Sequence, residues 1–299
     1  VNAALRPTAD PHLAPVTPPR VADGDAGLQP LLGRIEARLS QLLPPPREGD
    51  PVGAAMRVAV LGPAKRLRPL LTLLAGEALG SESPALLEAA CAVEFIHCAS
   101  LVLDDLPCMD DAALRRGQPA LHRLVGEDVA LLATVGLMAL ASQVLARAPG
   151  LDALRCCRLV EVLNAAVGPA GLVQGQYRDL RLGATGCEAG DELNELKTGV
   201  LFAAALEMAA VVAGREDQVP ALRQAALALG RAFQLRDDLD DAAAVGARAE
   251  VTLVSLLGHA QAQAMLGRSV ERARTQLCEA LPAPDRMAAL MTAYFGVAS

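Results

Sequence analysis

A chain of 299 residues, 53% of them apolar, can bury a large core of its own, but aromatic residues make up only 2% and Trp is absent. The apolar mass is Ala, Leu and Val; the first two favour helix and strand-favouring aromatics are scarce, so an all-α protein is predicted. A formal net charge of −7 argues against nucleic-acid binding, and it means that an anionic substrate must be met by local basic residues and bridging cations.

Residues 1–27 are Pro-, Ala- and Asp-rich without periodicity, and Pro7, Pro11, Pro15, Pro18 and Pro19 predict a disordered arm. From residue 28 to 299 the pattern reads as one helical domain. Leu31, Leu32, Ile35, Leu39, Leu42 and Leu43 space out a first helix over 28–43, stopped by Pro44-Pro45-Pro46. A second helix spans 52–61 and is broken by Gly62-Pro63; a third spans 67–79; a long apolar one runs from 83 or 84 to 103. Further helices are predicted at about 127–147, 151–166, 169–181, 190–213, 217–241 and 249–280. The sum is a single-domain bundle of roughly ten or more helices. Val129 to Ala146 carries no charge and approaches the length of a membrane span. It is Ala-rich and holds Thr134, Ser142 and Gln143, so it is read as a buried core helix and no membrane span is expected. The seven cysteines (91, 98, 108, 156, 157, 187, 278) form no Cys-x-x-Cys pair. With no export pattern at the N-terminus, they suggest a reducing, cytoplasmic setting.

Two acidic clusters stand beside apolar helical runs: Asp104-Asp105-Leu106-Pro107-Cys108-Met109-Asp110-Asp111 and Asp237-Asp238-Leu239-Asp240-Asp241. Carboxylates in such places are costly unless a cation neutralises them, and clusters poor in His and Cys suit Mg²⁺. Asp237 and Asp241 are four apart and share a helical face, with Asp238 beside them. A solvated helix end is the plainer reading, but an acidic C-terminus opposes the helix macrodipole. Asp104 and Asp110 are six apart, which on a regular helix separates them by about 120°. Pro107 lies between, and a local bulge there is expected to return Asp110 to the face of Asp104; otherwise Cys108 takes that place. If the clusters face each other across a helical cavity, they form a multi-magnesium site whose natural ligand is a diphosphate.

Basic groups complete the pattern. Lys65 and Arg68 are three apart at a helix start, Arg115-Arg116-Gly117 follows the first cluster, and Lys197-Thr198-Gly199 lies mid-chain. Each alone reads as surface charge; together with the carboxylates they are what a site for two diphosphates and Mg²⁺ requires. His97 alone reads as a core histidine, and Gly175-Gln176 with Asp179 is a weak signal.

The segments GPAKRLRP (62–69), EFIHCASLVLDDLPCMDDAALRRGQPALH (94–122), GLVQGQYRDL (171–180), LKTGVLF (196–202) and AFQLRDDLDD (232–241) together resemble the trans-isoprenyl diphosphate synthases. The closest likeness is to the bacterial geranylgeranyl diphosphate synthases of carotenoid pathways. The resemblance implies the isoprenoid synthase fold with a central cavity, a homodimer, and Mg²⁺-dependent condensation of isopentenyl diphosphate with dimethylallyl, geranyl or farnesyl diphosphate. It implies that Asp104, Asp105, Asp110, Asp237, Asp238 and Asp241 flank the Mg²⁺ ions. Of these, Asp104, Asp110 and Asp237 are implied as direct ligands. Lys65, Arg68, His97 and Arg116 are implied to hold isopentenyl diphosphate; Arg115, Lys197, Thr198 and Gln234 are implied to contact the allylic diphosphate. The chain departs from the family pattern at Pro63-Ala64, at Leu103, and in segment 242–252, which lacks the family's lysines and offers only Arg248. Ala99 and Ser100 lie five and four residues before Asp104, and the resemblance makes them the floor met by the growing chain. Farnesyl-producing bacterial relatives typically carry a bulky aromatic at the position of Ala99, so its methyl group implies a C20 product. The alternatives are a farnesyl diphosphate synthase and a non-catalytic subunit of a partner prenyltransferase. Retention of both aspartate clusters speaks against the second. A class I terpene cyclase has no use for Lys65, Arg68 and Arg116.

Overall fold

The computed structural model describes residues 27–182, 198–243 and 258–295. The expected arm, Lys197, and the lysine-free segment with Arg248 lie outside the described residues. The chain is all-α, as its composition predicts. The helices are α1 (Gln29–Leu42), α2 (Pro51–Leu61), α3 (Leu67–Ala78), α4 (Ala85–Asp104), α5 (Leu121–Val125) and α6 (Glu127–Ala146). They continue with α7 (Ala153–Val167), α8 (Leu172–Leu182), α9 (Val200–Ala213), α10 (Val219–Ala243), α11 (His259–Ala280) and α12 (Asp285–Phe295). The expectation did not include α5, α12 or a small hairpin in which β1 (Leu114–Arg115) pairs antiparallel with β2 (Gln118–Pro119).

Local chemistry sets the boundaries. Pro51 opens α2 while the Asp50 carboxylate accepts the Gly53 N–H at 2.8 Å, a standard N-cap. Arg66, in left-handed conformation at φ 51°, starts α3. The hairpin turns through Arg116 (φ 53°) and Gly117 (φ 76°), both positive as a two-residue type I′ turn demands.

The innermost helices are α3, α4 and α9. In α9 every residue from Val200 to Val212 is buried, and it packs on α3, α4, α7 and α10. One core cluster runs from Leu28 to Phe295. Among the described residues, three segments are apolar and long enough to cross a membrane by length and composition: Ala85–Asp104, Glu127–Ala146 and Ala153–Arg181. The expectation of a buried core helix over 129–146 needs correction. One face of α6 packs on α2 and α4, but only 39% of its apolar window is buried. Leu131, Leu132 and Val135 point outward.

The crossing of α9 and α10 brings their residues into the site. A Cβ on Gly230 would lie 2.8 Å from the Gly199 Cα, backbone that cannot swing aside. Gly230→Ala should therefore cost about 1–3 kcal/mol through overpacking. Gly33→Ala meets nothing within 4 Å and should gain up to about 1 kcal/mol from helix propensity. Urea unfolding of both variants checks the contrast; equal stabilities would sink it.

Candidate active site

A cavity of about 530 Å³ opens between the starts of α3 and α9 and the faces of α4, α8, α10 and α12. From α4 it takes Glu94, His97, Ser100, Leu101 and Asp104, a spacing that marks one helical face. From α10 come Phe233, Gln234 and Asp237, and from α8 come Leu172 and Asp179, again one face each. Five cationic side chains (Lys65, Arg66, Arg68, Arg115, Arg116) stand against four carboxylates (Glu94, Asp104, Asp179, Asp237). The lining is thus net positive within a chain of formal charge −7, as an anion site needs.

Its cations differ in standing. Arg66 is 2% exposed and fully engaged. It donates to Glu94 at 2.8 Å, Glu36 at 2.7 Å and the Val60 carbonyl at 2.6 Å. Burial works against its charge, but Glu94 and Glu36 outweigh it and push its pKa up. Arg68 is the opposite case. Its guanidinium stacks over the rings of Phe202 at 4.5 Å and Phe233 at 5.7 Å, while its Nε–H is buried with no partner. Burial pulls its pKa down against Glu94, Tyr294 and Asp237. A buried cation with an unused donor is a costly arrangement that an anion relieves.

Lys65 is exposed, with its Nζ 3.4 Å from the Tyr294 hydroxyl. Arg116 donates to the Pro63 carbonyl at 2.9 Å, which braces its left-handed backbone. His97 lines the cavity, and burial, followed by Arg68 and Arg116, drives its pKa well below the ordinary value. The Thr198 hydroxyl donates to Gln234 Oε1 at 3.4 Å, and Gln234 Nε2 donates to Asp238 Oδ1 at 2.9 Å, so the amide is oriented from both ends.

The six aspartates expected as metal neighbours divide. Asp104 and Asp237 line the cavity. Asp105 and Asp238 do not: successive helical residues point about 100° apart, so each turns away from its neighbour. The buried Asp105 carboxylate pairs with Arg115, and Asp238 holds Gln234. The bulge expected at Pro107 is not formed. Instead α4 ends at Asp104, and a turn brings the Asp110 N–H to the Asp104 carbonyl at 2.9 Å. Asp110 is exposed on that turn and outside the cavity lining. The side chain of Asp241 lies outside the described residues. Among the described residues no three carboxylate, imidazole or thiol groups gather around one point suited to an ion. Ser100 lines the cavity; Ala99 is fully buried and does not.

Sequence reasoning passed over Arg66, Glu94, Phe202, Phe233 and Tyr294, and treated Asp179 as weak. A signal was present for the aromatics: the chain has only four Phe and two Tyr, and Phe202, Phe233, Tyr294 and Phe295 form one contact chain.

The family model described as polyprenyl synthetase matches residues 51–250. A geranylgeranyl diphosphate synthase of Pantoea ananas is 45% identical, over 84% of this chain and 86% of its own. One from Pseudescherichia vulneris is 42% identical, over 88% and 89%. The crystal structure of an FPP/GFPP synthase from Zymomonas mobilis superposes with a TM-score of 0.80 at 32% identity, covering 91% of this chain and 97% of that one.

The His97 environment has a measurable consequence. Below the ordinary histidine pKa of about 6.5 the unfolded imidazole binds a proton that the folded one refuses. This contribution is therefore intact above about pH 6.5 and is lost as pH falls toward the depressed folded value. Urea unfolding free energies should decline between about pH 6.5 and 5, and His97→Gln should flatten that slope. An equally steep slope in the variant would assign it to other groups.

Proposed function

This chain belongs to the polyprenyl synthetase family and is a prenyltransferase; we propose that it joins isopentenyl diphosphate to allylic diphosphates with Mg²⁺ and releases geranylgeranyl diphosphate. The observation that carries this reading is a single cavity holding carboxylates from three separate helices and a buried guanidinium with an unused N–H.

The donor set fits Mg²⁺. The ion prefers oxygen and is usually held by one or two carboxylates together with substrate phosphates and water, so a cage of three carboxylates is not required. Asp104 and Asp237 would hold it, with Asp179 a further carboxylate in the same cavity. Bound there, it supplies charge neutralisation that makes the allylic diphosphate a better leaving group. Arg115, oriented by Asp105, and Gln234, oriented by Thr198 and Asp238, contact that diphosphate together with Lys197. Arg68, Lys65, Arg116 and the neutral His97 hold isopentenyl diphosphate so that its double bond meets the allylic carbon as the C–O bond breaks. His97, with its lowered pKa, is a weak base, so the proton lost from the isopentenyl unit passes to the released diphosphate. The outward apolar face of α6, Leu131, Leu132 and Val135, supports a homodimer, since exposed apolar patches mark association surfaces.

Incubation with Mg²⁺, labelled isopentenyl diphosphate and each allylic primer should give C20 as the longest main product. Asp104→Ala and Asp237→Ala should each lower turnover by about 10²-fold or more while circular dichroism stays helical. Near-normal turnover in either variant would remove that aspartate from the site.

Chain length has its own test. The small side chains Ala99 and Ser100 support room for a long product, and Ser100 is the one on the cavity wall. Ser100→Phe should shorten the product toward C15 more strongly than Ala99→Phe. If neither variant shortens it, the floor lies on another helix.

A further inference from the structure

The last helix contributes to the site in a way that neither acidic cluster explains. Tyr294, one residue from the end of α12, lines the cavity. Its hydroxyl lies 3.4 Å from Lys65 Nζ, and the same ammonium sits 5.0 Å from the centre of its ring. The phenol also packs among other rings: it stacks on Phe233 at 5.8 Å with 17° between planes, and meets Phe295 edge-on at 4.9 Å. Phe233 in turn lies beneath the Arg68 guanidinium. The helix itself is anchored at both ends. Arg286 pairs with Glu77 of α3 and donates to the Gly27 carbonyl at 3.0 Å. Arg236 of α10 donates to the Phe295 carbonyl at 3.2 Å. The tyrosine is thus held by its aromatic neighbours on a helix tied down at each end, with the Lys65 ammonium against its ring and hydroxyl.

We propose that Tyr294 is a positioning residue that holds the Lys65 ammonium at the cavity, ready for the diphosphate of isopentenyl diphosphate. This rests on the reading that Lys65 faces that substrate. A lysine side chain has many rotamers, and freezing them on binding weakens affinity. A rigid aromatic face and hydroxyl that pre-order the ammonium reduce that loss. Burial first, and then Asp237, raise the phenol's pKa, so the hydroxyl stays protonated and presents its oxygen lone pair to the lysine at any working pH.

Calorimetric binding of isopentenyl diphosphate to the full chain, without allylic primer, tests this apart from turnover. Tyr294→Ala should raise Kd about three- to tenfold and Tyr294→Phe by less, since the ring contact survives. In a Lys65→Ala background, Tyr294→Ala should add little, because the two residues act as one unit. In steady state the Tyr294 variants should raise the KM for isopentenyl diphosphate more than that for the allylic primer. An unchanged Kd in Tyr294→Ala, or a full effect persisting without Lys65, overturns the proposal; so does a wild type that binds no isopentenyl diphosphate. A wild type that binds it but forms no prenyl product would defeat the prenyltransferase reading, while the Tyr294–Lys65 coupling would still be read from the binding data. If Tyr294→Ala proves unfolded, Tyr294→Phe, which keeps the ring, carries the comparison with and without Lys65.

Discussion

One buried guanidinium joins the elements that carry the site. Arg66 reaches Glu36 on α1, the Val60 carbonyl near the end of α2, and Glu94 in the middle of α4, while its own backbone begins α3. Its left-handed backbone at φ 51° is an uncommon choice for a residue with a side chain. Five hydrogen bonds from its guanidinium over-determine that strained position, which is how such conformers persist. The consequence is directional. With Arg66 fixed into the protein, Lys65 before it and Arg68 after it are both left on the cavity wall. A buried ion pair of this sort is not itself a large source of stability, yet removing one partner costs about 3–5 kcal/mol. Its role is to fix register where the chain leaves a Gly62-Pro63 break.

Around that anchor the molecule concentrates what its composition makes rare. Phe202, Phe233, Tyr294 and Phe295 come from α9, α10 and α12 and meet beside Arg68 and Lys65. The aromatic faces lower the penalty of holding cations out of water without cancelling their charge as carboxylates would. Arg68 therefore keeps a donor unspent, whereas Arg66, paired twice, has none to offer. The two arginines, two residues apart, illustrate how partner choice separates a cation tied into the frame from one with a donor left over.

The aspartates are sorted by a simpler rule. Successive residues on a helix point about 100° apart, and the pairs Asp104-Asp105 and Asp237-Asp238 each split into one member on the wall and one off it. The inner members, Asp104 and Asp237, face the cavity. The outer members, Asp105 and Asp238, hold Arg115 and Gln234. In these two pairs one aspartate lines the cavity and its neighbour braces a polar side chain of the lining.

Much of this was legible in the linear chain. Ala- and Leu-rich periodicity determined an all-α fold, Pro and Gly breaks placed most helix ends within a few residues, and the acidic clusters and basic motifs pointed to side chains that line the cavity. These features are local, because helix propensity and i, i+4 spacing depend only on neighbours in sequence. The hairpin carrying Arg115 and Arg116, the turn after α4 that carries Asp110, and the outward face of α6 were not legible, because each depends on which surface the next helix covers. Nor could sequence alone bring Tyr294 to Lys65, 229 residues away, or separate Arg66 from Arg68. Those assignments follow from which buried donor finds a partner, and partners distant in sequence meet only when the helices pack.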